Sequence, residues 1–302
     1  MNLGPGEICA LLAPLAWSVA VIFYKRASEL PAASMNLFKN SLAIVLLAGT
    51  MLVAGIGVPG AGDAPARSAG DWARLVGSGV IGLALGDTLL FEGLSRIGAA
   101  RLAVVDTLYA PLMVLLSWAV LGEPLGAAFL GGAVAVVAGI ALASAHPRAE
   151  TSPADARQLG VGSLLALSAI TCTCVGVILA KPALGSGHLV EITLTRLVAG
   201  TLVQLGVVAV TGRRAEAMEA FVRRDTWRHM VPGALVGTYL SLMLWLGGFK
   251  WGQAAVASVL NQMATVYMLV LARVFLGERL RKRQVVGAIV AAGGALWIVW
   301  SK

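Results

Sequence analysis

A few ionisable side chains stand alone inside long apolar stretches of this sequence. Asp106 lies near the middle of one stretch, and Asp87, Lys39 and Arg196 lie within three others. A carboxylate in such surroundings could bind a cationic or amine group, or carry a proton. A lysine or arginine there could bind a carboxylate or phosphate, or neutralise one of the two acids. These four residues are the first candidates for chemistry.

Polar and aromatic residues at helical spacing could complete a binding site. Tyr109 shares the helical face of Asp106, and Arg196 shares a face with Gly200 and Gln204. Three further aromatic side chains could form stacking walls for a substrate: Trp17, Tyr24, and Trp245 with its neighbours Thr238 and Ser241.

The composition places most of the chain in lipid. Of 302 residues, 58% are hydrophobic and 13% charged, with a mean hydropathy of +0.85, whereas soluble domains carry about a quarter charged residues. The 36 glycines and a GxxxG spacing at Gly82 and Gly86 indicate closely packed helices. The net charge of +8 comes from short clusters between apolar runs, which favours loops held at a membrane surface over nucleic-acid binding.

Apolar runs long enough to cross a membrane recur ten times, since about twenty helical residues span the hydrocarbon layer. The first run follows Glu7 with no preceding Lys or Arg, so we expect a spanning helix and not a signal peptide. The predicted spans are 7–24, 36–58, 73–94, 97–120, 126–145, 159–180, 189–211, 229–249, 252–276 and 284–301.

The ten runs divide into two similar halves, 1–145 and 159–302, joined by a linker at 146–158. At an offset of 155, seven of twenty-one positions from Leu121 onward are identical, against roughly one in ten expected by chance in such a composition. Asn261 and Gln262 then occupy the position matching Asp106, and their amides could line the same cavity. Because each half has an odd number of helices, the halves should be inverted, as in many transporters. The sequence therefore predicts an all-α polytopic membrane protein of two inverted five-helix repeats.

The distribution of cations predicts the orientation. Fifteen of the 23 Lys and Arg residues lie in alternate loops, five lie in the loops of the other face or at the C-terminus, and three lie within helices. By the positive-inside rule the cation-rich loops are cytoplasmic, which leaves both termini outside.

Several of these residues also have structural interpretations. Asp106 could pair with a hydroxyl or a base, although we favour function. Lys39, near the start of its span, is expected to extend to the membrane interface. The amides could join helices, worth around 0.6 kcal/mol, and aromatic residues often anchor helix ends in the interface.

Three other acids are interpreted as structural. Glu92 precedes Arg96 by four residues, the favourable order for an ion pair on a helix. Glu123 and Glu278 follow helix-ending Leu-Gly pairs and should cap turns or helix N-termini.

Short motifs in both halves carry a resemblance. The first half has Gly98-Ala99-Ala100-Arg101, Pro111 and Leu121-Gly122-Glu123-Pro124 with Gly132 and Gly139, and the second has Leu276-Gly277-Glu278-Arg279 with Gly287 and Gly294. Over nearly its whole length the chain resembles the EamA family of the drug/metabolite transporter superfamily. That resemblance implies a ten-helix inner-membrane transporter of small molecules, frequently an exporter, without naming a substrate. The second half has Thr265 near the position of Pro111, which predicts a loss of kink symmetry.

We therefore expect a secondary active transporter that exports small metabolites or drugs across the inner membrane by alternating access. Protonation of a carboxylate such as Asp106 would release a cationic substrate without ATP. Two other classes stay open: a non-transporting membrane subunit or scaffold, for example one handling a lipid carrier through the Arg-rich stretch 212–228, and a membrane enzyme, for which no catalytic constellation is present. The expected partners are a small-molecule substrate and membrane lipids, without nucleic acid, metal or cofactor, in a monomer or homodimer.

Overall fold

The chain folds into helices with apolar outer surfaces. A computed structural model describes residues 3–27, 29–57, 67–144, 153–275 and 281–300, and this part is 89% helical with no strand. Within it, eight helical segments are long and apolar enough to cross a membrane, and two shorter apolar helices cover Tyr109–Leu121 and Ala127–Ala143. Large apolar side chains face outward, with Val53 92% and Val210 90% exposed. Such surfaces suit lipid, where each helix satisfies its own backbone hydrogen bonds.

The helices before residue 145 are α1 (Pro5–Lys25), α2 (Ala32–Val53), α3 (Ala69–Gly79), α4 (Gly86–Asp106), α5 (Tyr109–Leu121) and α6 (Ala127–Ser144). Those that follow are α7 (Pro153–Ser186), α8 (Leu189–Thr211), α9 (Arg214–Val222), α10 (Trp227–Ala234), α11 (Ser241–Trp251), α12 (Ala254–Asn261), α13 (Met263–Phe275) and α14 (Lys282–Trp300). Two segments of wider π-helix, Val80–Leu85 and Leu235–Leu240, join α3 to α4 and α10 to α11.

Several predicted boundaries need correction. The predicted helix 97–120 is not continuous, because α4 ends at Asp106 and α5 begins at Tyr109 after a turn. Asp106 therefore lies at a helix end and not in the middle of a helix. The predicted helix 252–276 is likewise divided into α12 and α13, and the predicted connection between 94 and 97 lies within α4. The stretch 212–228, expected to be a connection, contains the short helix α9, which packs on α2.

The same helical irregularities occur twice, 155 residues apart. The π segments Val80–Leu85 and Leu235–Leu240 correspond at both ends at this offset. The break after α4 follows Asp106, and the break after α12 follows Asn261, again 155 residues later. This is the offset at which the Leu-Gly-Glu motifs align, so backbone geometry and sequence repeat with the same period.

Helices α6 and α14 pack through opposed glycines. A Cβ atom added at Gly139 would lie 2.5 Å from the backbone nitrogen of Ala291 and 2.6 Å from the carbonyl oxygen of Gly287. Likewise, a Cβ at Gly132 would lie 3.0 Å from the carbonyl oxygen of Gly294. Since Gly132 faces Gly294 while Gly139 faces Gly287, residue numbers run in opposite directions along the contact. The two helices, which correspond at the 155-residue offset, are therefore antiparallel.

Glu123 joins the two parts of the chain at one end of the molecule. Its carboxylate accepts hydrogen bonds from the backbone N–H groups of Ala254 (2.7 Å) and Ala255 (3.0 Å), and Lys181 Nζ lies 3.9 Å away. Glu123 thus caps a helix N-terminus, as predicted. The helix that it caps is α12, which begins 131 residues later in the chain. Glu278 lies outside the described residues.

Further charged side chains form hydrogen bonds and an ion pair at the same end of the molecule. Lys181 donates to two carbonyl oxygens at the end of α11, and Lys250 donates to two at the end of α7. These contacts supply donors to carbonyl groups that helix ends leave free. Arg67 and Glu191 form an ion pair of 2.6 Å, with side chains only 8% and 4% exposed. Each of these charged groups therefore has a hydrogen-bond or ion-pair partner.

The glycine contact between α6 and α14 leads to a first prediction. We expect Gly139→Ala to destabilise the protein by about 1–3 kcal/mol, because the new methyl group would meet backbone atoms that cannot rotate away. Gly131→Ala on the same helix is the matched control, since a Cβ there meets nothing within 4 Å. Thermal unfolding of the detergent-purified variants measures the difference. Equal stability of the two variants would contradict the close approach of α6 and α14.

Candidate functional site

Pro111 explains why α4 and α5 are separate helices. Proline has no N–H, so the carbonyl group of Thr107, four residues earlier, lacks its usual intrahelical donor. The Gln262 side chain takes that place, because its Nε2 donates to the carbonyl oxygens of Asp106 (3.1 Å) and Thr107 (3.4 Å). Gln262 is 5% exposed. A side chain at one helix break therefore satisfies the backbone at the other.

The second break forms without a proline. The N–H of Gln262 donates to the carbonyl of Val259 (3.2 Å), three residues earlier, and Thr265 donates likewise to Gln262 (3.3 Å). This tight turn ends α12 before α13 begins. The loss of kink symmetry predicted from Pro111 and Thr265 is therefore wrong, since both helices break at corresponding positions.

A cavity of about 340 Å³ lies beside the two breaks. Its volume is in the range of small-molecule binding sites. Residues that follow both π segments, including Gly86 and Ser241, contribute to its walls, and π-helical turns are frequent at functional sites. Eight of the ten residues proposed from the sequence line it: Trp17, Lys39, Asp87, Asp106, Tyr109, Trp245, Asn261 and Gln262. Arg196 and Tyr24 do not.

Asp106, the last residue of α4, is one of the residues that line this cavity. It is an exposed residue. Among the residues that the structure describes, no hydrogen bond or ion pair engages the carboxylate. The alternative interpretation, in which the Asp106 carboxyl pairs with a hydroxyl or a base for structural reasons, has no support among the described residues. Asp106 is thus an acid available to a ligand.

Asp87, in contrast, belongs to a polar network. Asn36 Nδ2 donates to Asp87 Oδ2 (3.3 Å), and Lys39 interacts electrostatically with the same acid. Lys39 Nζ donates to Asn40 Oδ1 (3.1 Å), and Asn40 Nδ2 donates to Gln204 Oε1 (3.2 Å). Lys39 lines the cavity instead of extending to the interface as expected.

Asn36 and Asn40 are members of this site that the sequence reasoning missed. They lie four residues apart on α2 with Lys39 between them, in an otherwise apolar helix. Asn40 lines the cavity, and both side chains are buried. A search for polar residues three or four positions apart would have found them, since Asn36 precedes Lys39 by three residues and Asn40 by four.

Arg196 lies behind the cavity wall and is 1% exposed. The guanidinium carbon is 5.9 Å from the centroid of the Trp245 ring, which lines the cavity. Arg196 Nε and Nη1 have no hydrogen-bond partner among the described residues, and neither does the Tyr109 hydroxyl. Trp245 thus lines the cavity and also lies near a buried cation that forms no ion pair within the described residues.

The remaining aromatic candidates form one wall. Trp17 lines the cavity, and its ring centroid is 6.4 Å from that of Tyr24. The Tyr24 hydroxyl lies 3.3 Å from Thr238 Oγ1, and the Tyr24 ring packs over Gly237. Tyr24 therefore supports cavity residues and does not itself line the cavity. The side-chain amide of Asn261, on the cavity, lacks hydrogen-bond partners in the described residues.

Long apolar helices around a cavity with ionisable walls define a multi-pass membrane transporter, and comparison with known proteins agrees. The chain belongs to the EamA-like transporter family, whose sequence profile matches residues 4–145 and 160–300. It is thereby a membrane transporter of the drug/metabolite type.

Individual relatives are distant. Protein PecM of Dickeya dadantii (strain 3937) is 26% identical over 283 residues, which is 93% of this chain and 87% of PecM. The uncharacterized inner membrane transporter YhbE of Escherichia coli (strain K12) is 26% identical over 138 residues, or 46% of this chain and 42% of YhbE. A solved crystal structure matches 98% of this chain and 96% of its own with a TM-score of 0.81 at 17% identity. At that identity the likeness establishes the fold alone.

The hydrogen bond between the two breaks can be tested with a double-mutant cycle. We expect Gln262→Met to cost about 1–3 kcal/mol, because it leaves buried carbonyl groups without that donor. In a Pro111→Ala background the cost should be smaller, since alanine restores an N–H that can bond to Thr107. Thermal unfolding of the four purified proteins measures both costs. Equal costs in the two backgrounds would show that Gln262 does not compensate for Pro111.

Proposed function

We propose that this protein is a secondary active transporter that moves a small metabolite or drug across the inner membrane by alternating access. One observation carries the proposal: the cavity lies where a helix of each half breaks, beside Asp106 and Asn261. In transporters built from inverted repeats, substrate sites lie at the repeat interface and are formed by discontinuous helices. The names of the relatives, among them an inner membrane transporter, support the location.

The proposed architecture is ten transmembrane helices in two inverted five-helix repeats, 1–145 and 159–302, joined by the linker 146–158. Three observations support it. The π segments and helix breaks recur at the offset of 155 residues. The corresponding helices α6 and α14 are antiparallel, as inversion about an axis in the membrane plane requires. The family profile matches two separate ranges of the chain.

Asp106 is the proposed site of coupling. Its carboxylate is accessible and has no partner among the described residues, so it can bind a cationic or amine group of the substrate. Protonation of the same carboxylate removes the charge that holds the substrate, which couples proton entry to substrate release without ATP. We propose export, with the cation-rich loops in the cytoplasm and both termini outside.

Transport can be measured in inside-out membrane vesicles that carry a proton gradient and a pH-sensitive dye. Candidate amines, polyamines, amino acids, organic anions and nucleotide sugars are added in turn. We expect dequenching by one class containing an amine, and its loss in Asp106→Asn. That substitution keeps the size of the side chain while removing its charge and its proton-carrying group.

The matched control is Asp71→Asn, because Asp71 lies at an exposed helix start beside Ser68 and Arg74. This variant should dequench like the unmodified protein. Proton exchange that is unchanged in Asp106→Asn would refute the role of Asp106. No response to any class, together with stabilisation only by lipids, would favour the non-transporting scaffold.

A further inference from the structure

Arg196 is a buried cation without a counter-ion. It is 1% exposed on α8, and within the described residues it makes no ion pair. Its Nε and Nη1 atoms have no hydrogen-bond partner there. Removing a guanidinium from water without compensation is costly, so buried arginines are normally paired.

The other buried charges near Arg196 are already engaged. Glu191, five residues earlier on α8, pairs with Arg67 at 2.6 Å. Asp87 accepts a hydrogen bond from Asn36 and interacts with Lys39. None of these acids is available to Arg196 in this conformation.

The surroundings of Arg196 connect it to the cavity. Its guanidinium lies 5.9 Å from the Trp245 ring centroid and interacts electrostatically with Tyr109. Both aromatic residues line the cavity, and the Tyr109 hydroxyl, which faces Trp245, makes no hydrogen bond of ordinary geometry within the described residues. A rotation of the Trp245 side chain would expose two guanidinium donors and one hydroxyl donor to the same volume. A planar oxyanion matches such donors, because guanidinium and carboxylate form paired hydrogen bonds.

We propose that Arg196 and Tyr109 form an oxyanion subsite of this cavity, so that the substrate carries a carboxylate as well as the amine that Asp106 attracts. This inference rests on the proposed function and deepens it. The transported molecule would be dipolar, with its cationic end at Asp106 and its anionic end behind Trp245. The same donors would also accept a free inorganic anion, which the experiment must distinguish.

Thermal stability of the detergent-purified protein with three probes tests the subsite. The probes are benzylamine, benzoate and phenylalanine, which carry the amine, the carboxylate and both groups on one aromatic ring. We expect stabilisation by benzoate to be lost in Arg196→Met and kept in Asp106→Asn. Stabilisation by benzylamine should show the opposite pattern. Phenylalanine should bind more tightly than either, and lose about tenfold or more in affinity in each variant.

A stability measurement and one further variant keep the test decisive. Arg196→Met should be at least as stable as the unmodified protein in a low-salt zwitterionic buffer, since it removes an uncompensated buried charge. If Arg196→Met fails to fold, Tyr109→Phe weakens the same subsite with little change in volume, and should reduce the benzoate effect alone.

The outcomes separate the two proposals. A benzoate effect that persists in Arg196→Met and Tyr109→Phe, or no benzoate effect at all, overturns the oxyanion subsite while the benzylamine result still reports on Asp106. If sodium chloride at millimolar concentration gives the same Arg196-dependent stabilisation as benzoate, the occupant is a free anion and the dipolar substrate is overturned. If benzylamine stabilises Asp106→Asn as much as the unmodified protein while benzoate behaves as expected, the coupling role of Asp106 is overturned. The oxyanion subsite is then still supported.

Discussion

Where α4 and α12 end inside an apolar protein, the carbonyl groups released by the helix breaks must find donors within the protein, because lipid offers none. Gln262 meets this requirement for Asp106 and Thr107. The bond holds the two breaks beside each other, and the polar atoms of both therefore face one volume. A cavity with ionisable walls follows from this arrangement, since interrupted helices are tolerated only next to protein or a hydrated space.

Two kinds of contact join the halves, and they differ in how they respond to movement. The α6 and α14 contact consists of glycines and small side chains, whose packing has no directional partner. Glu123, by contrast, holds the first N–H groups of α12 with direct hydrogen bonds and lies 3.9 Å from Lys181. Under the proposed alternating access, opening of that end would break these charged contacts, whereas the glycine contact could persist. The charged contacts would then be releasable and the glycine contact permanent.

The helices were largely predictable from the sequence, and the site only in part. Apolar length predicted α8 at 189–211 without error, because a lipid-spanning helix needs little beyond composition. Pro111 indicated an irregular helix. Gln262, which donates to the carbonyl groups that the break leaves free, is remote in sequence, so only the packing of the helices identifies it. The same applies to Arg196, whose position behind Trp245 depends on how α8 meets α11. Asn36 was not predicted as a site residue, because it is uncharged and lies in a mostly apolar helix.

The charged groups of this protein differ in whether they have partners. Arg67 neutralises Glu191, and Glu123 and Asp87 each have hydrogen-bond partners, so these acids need no ligand. Asp106 and Arg196 are different, since within the described residues neither forms an ion pair, with each other or with another side chain. A membrane protein that keeps two opposite charges apart forgoes the stabilisation that their ion pair would provide. Asp106 lines the cavity and Arg196 lies against Trp245 of its wall, so the proposed dipolar ligand would supply a partner to each.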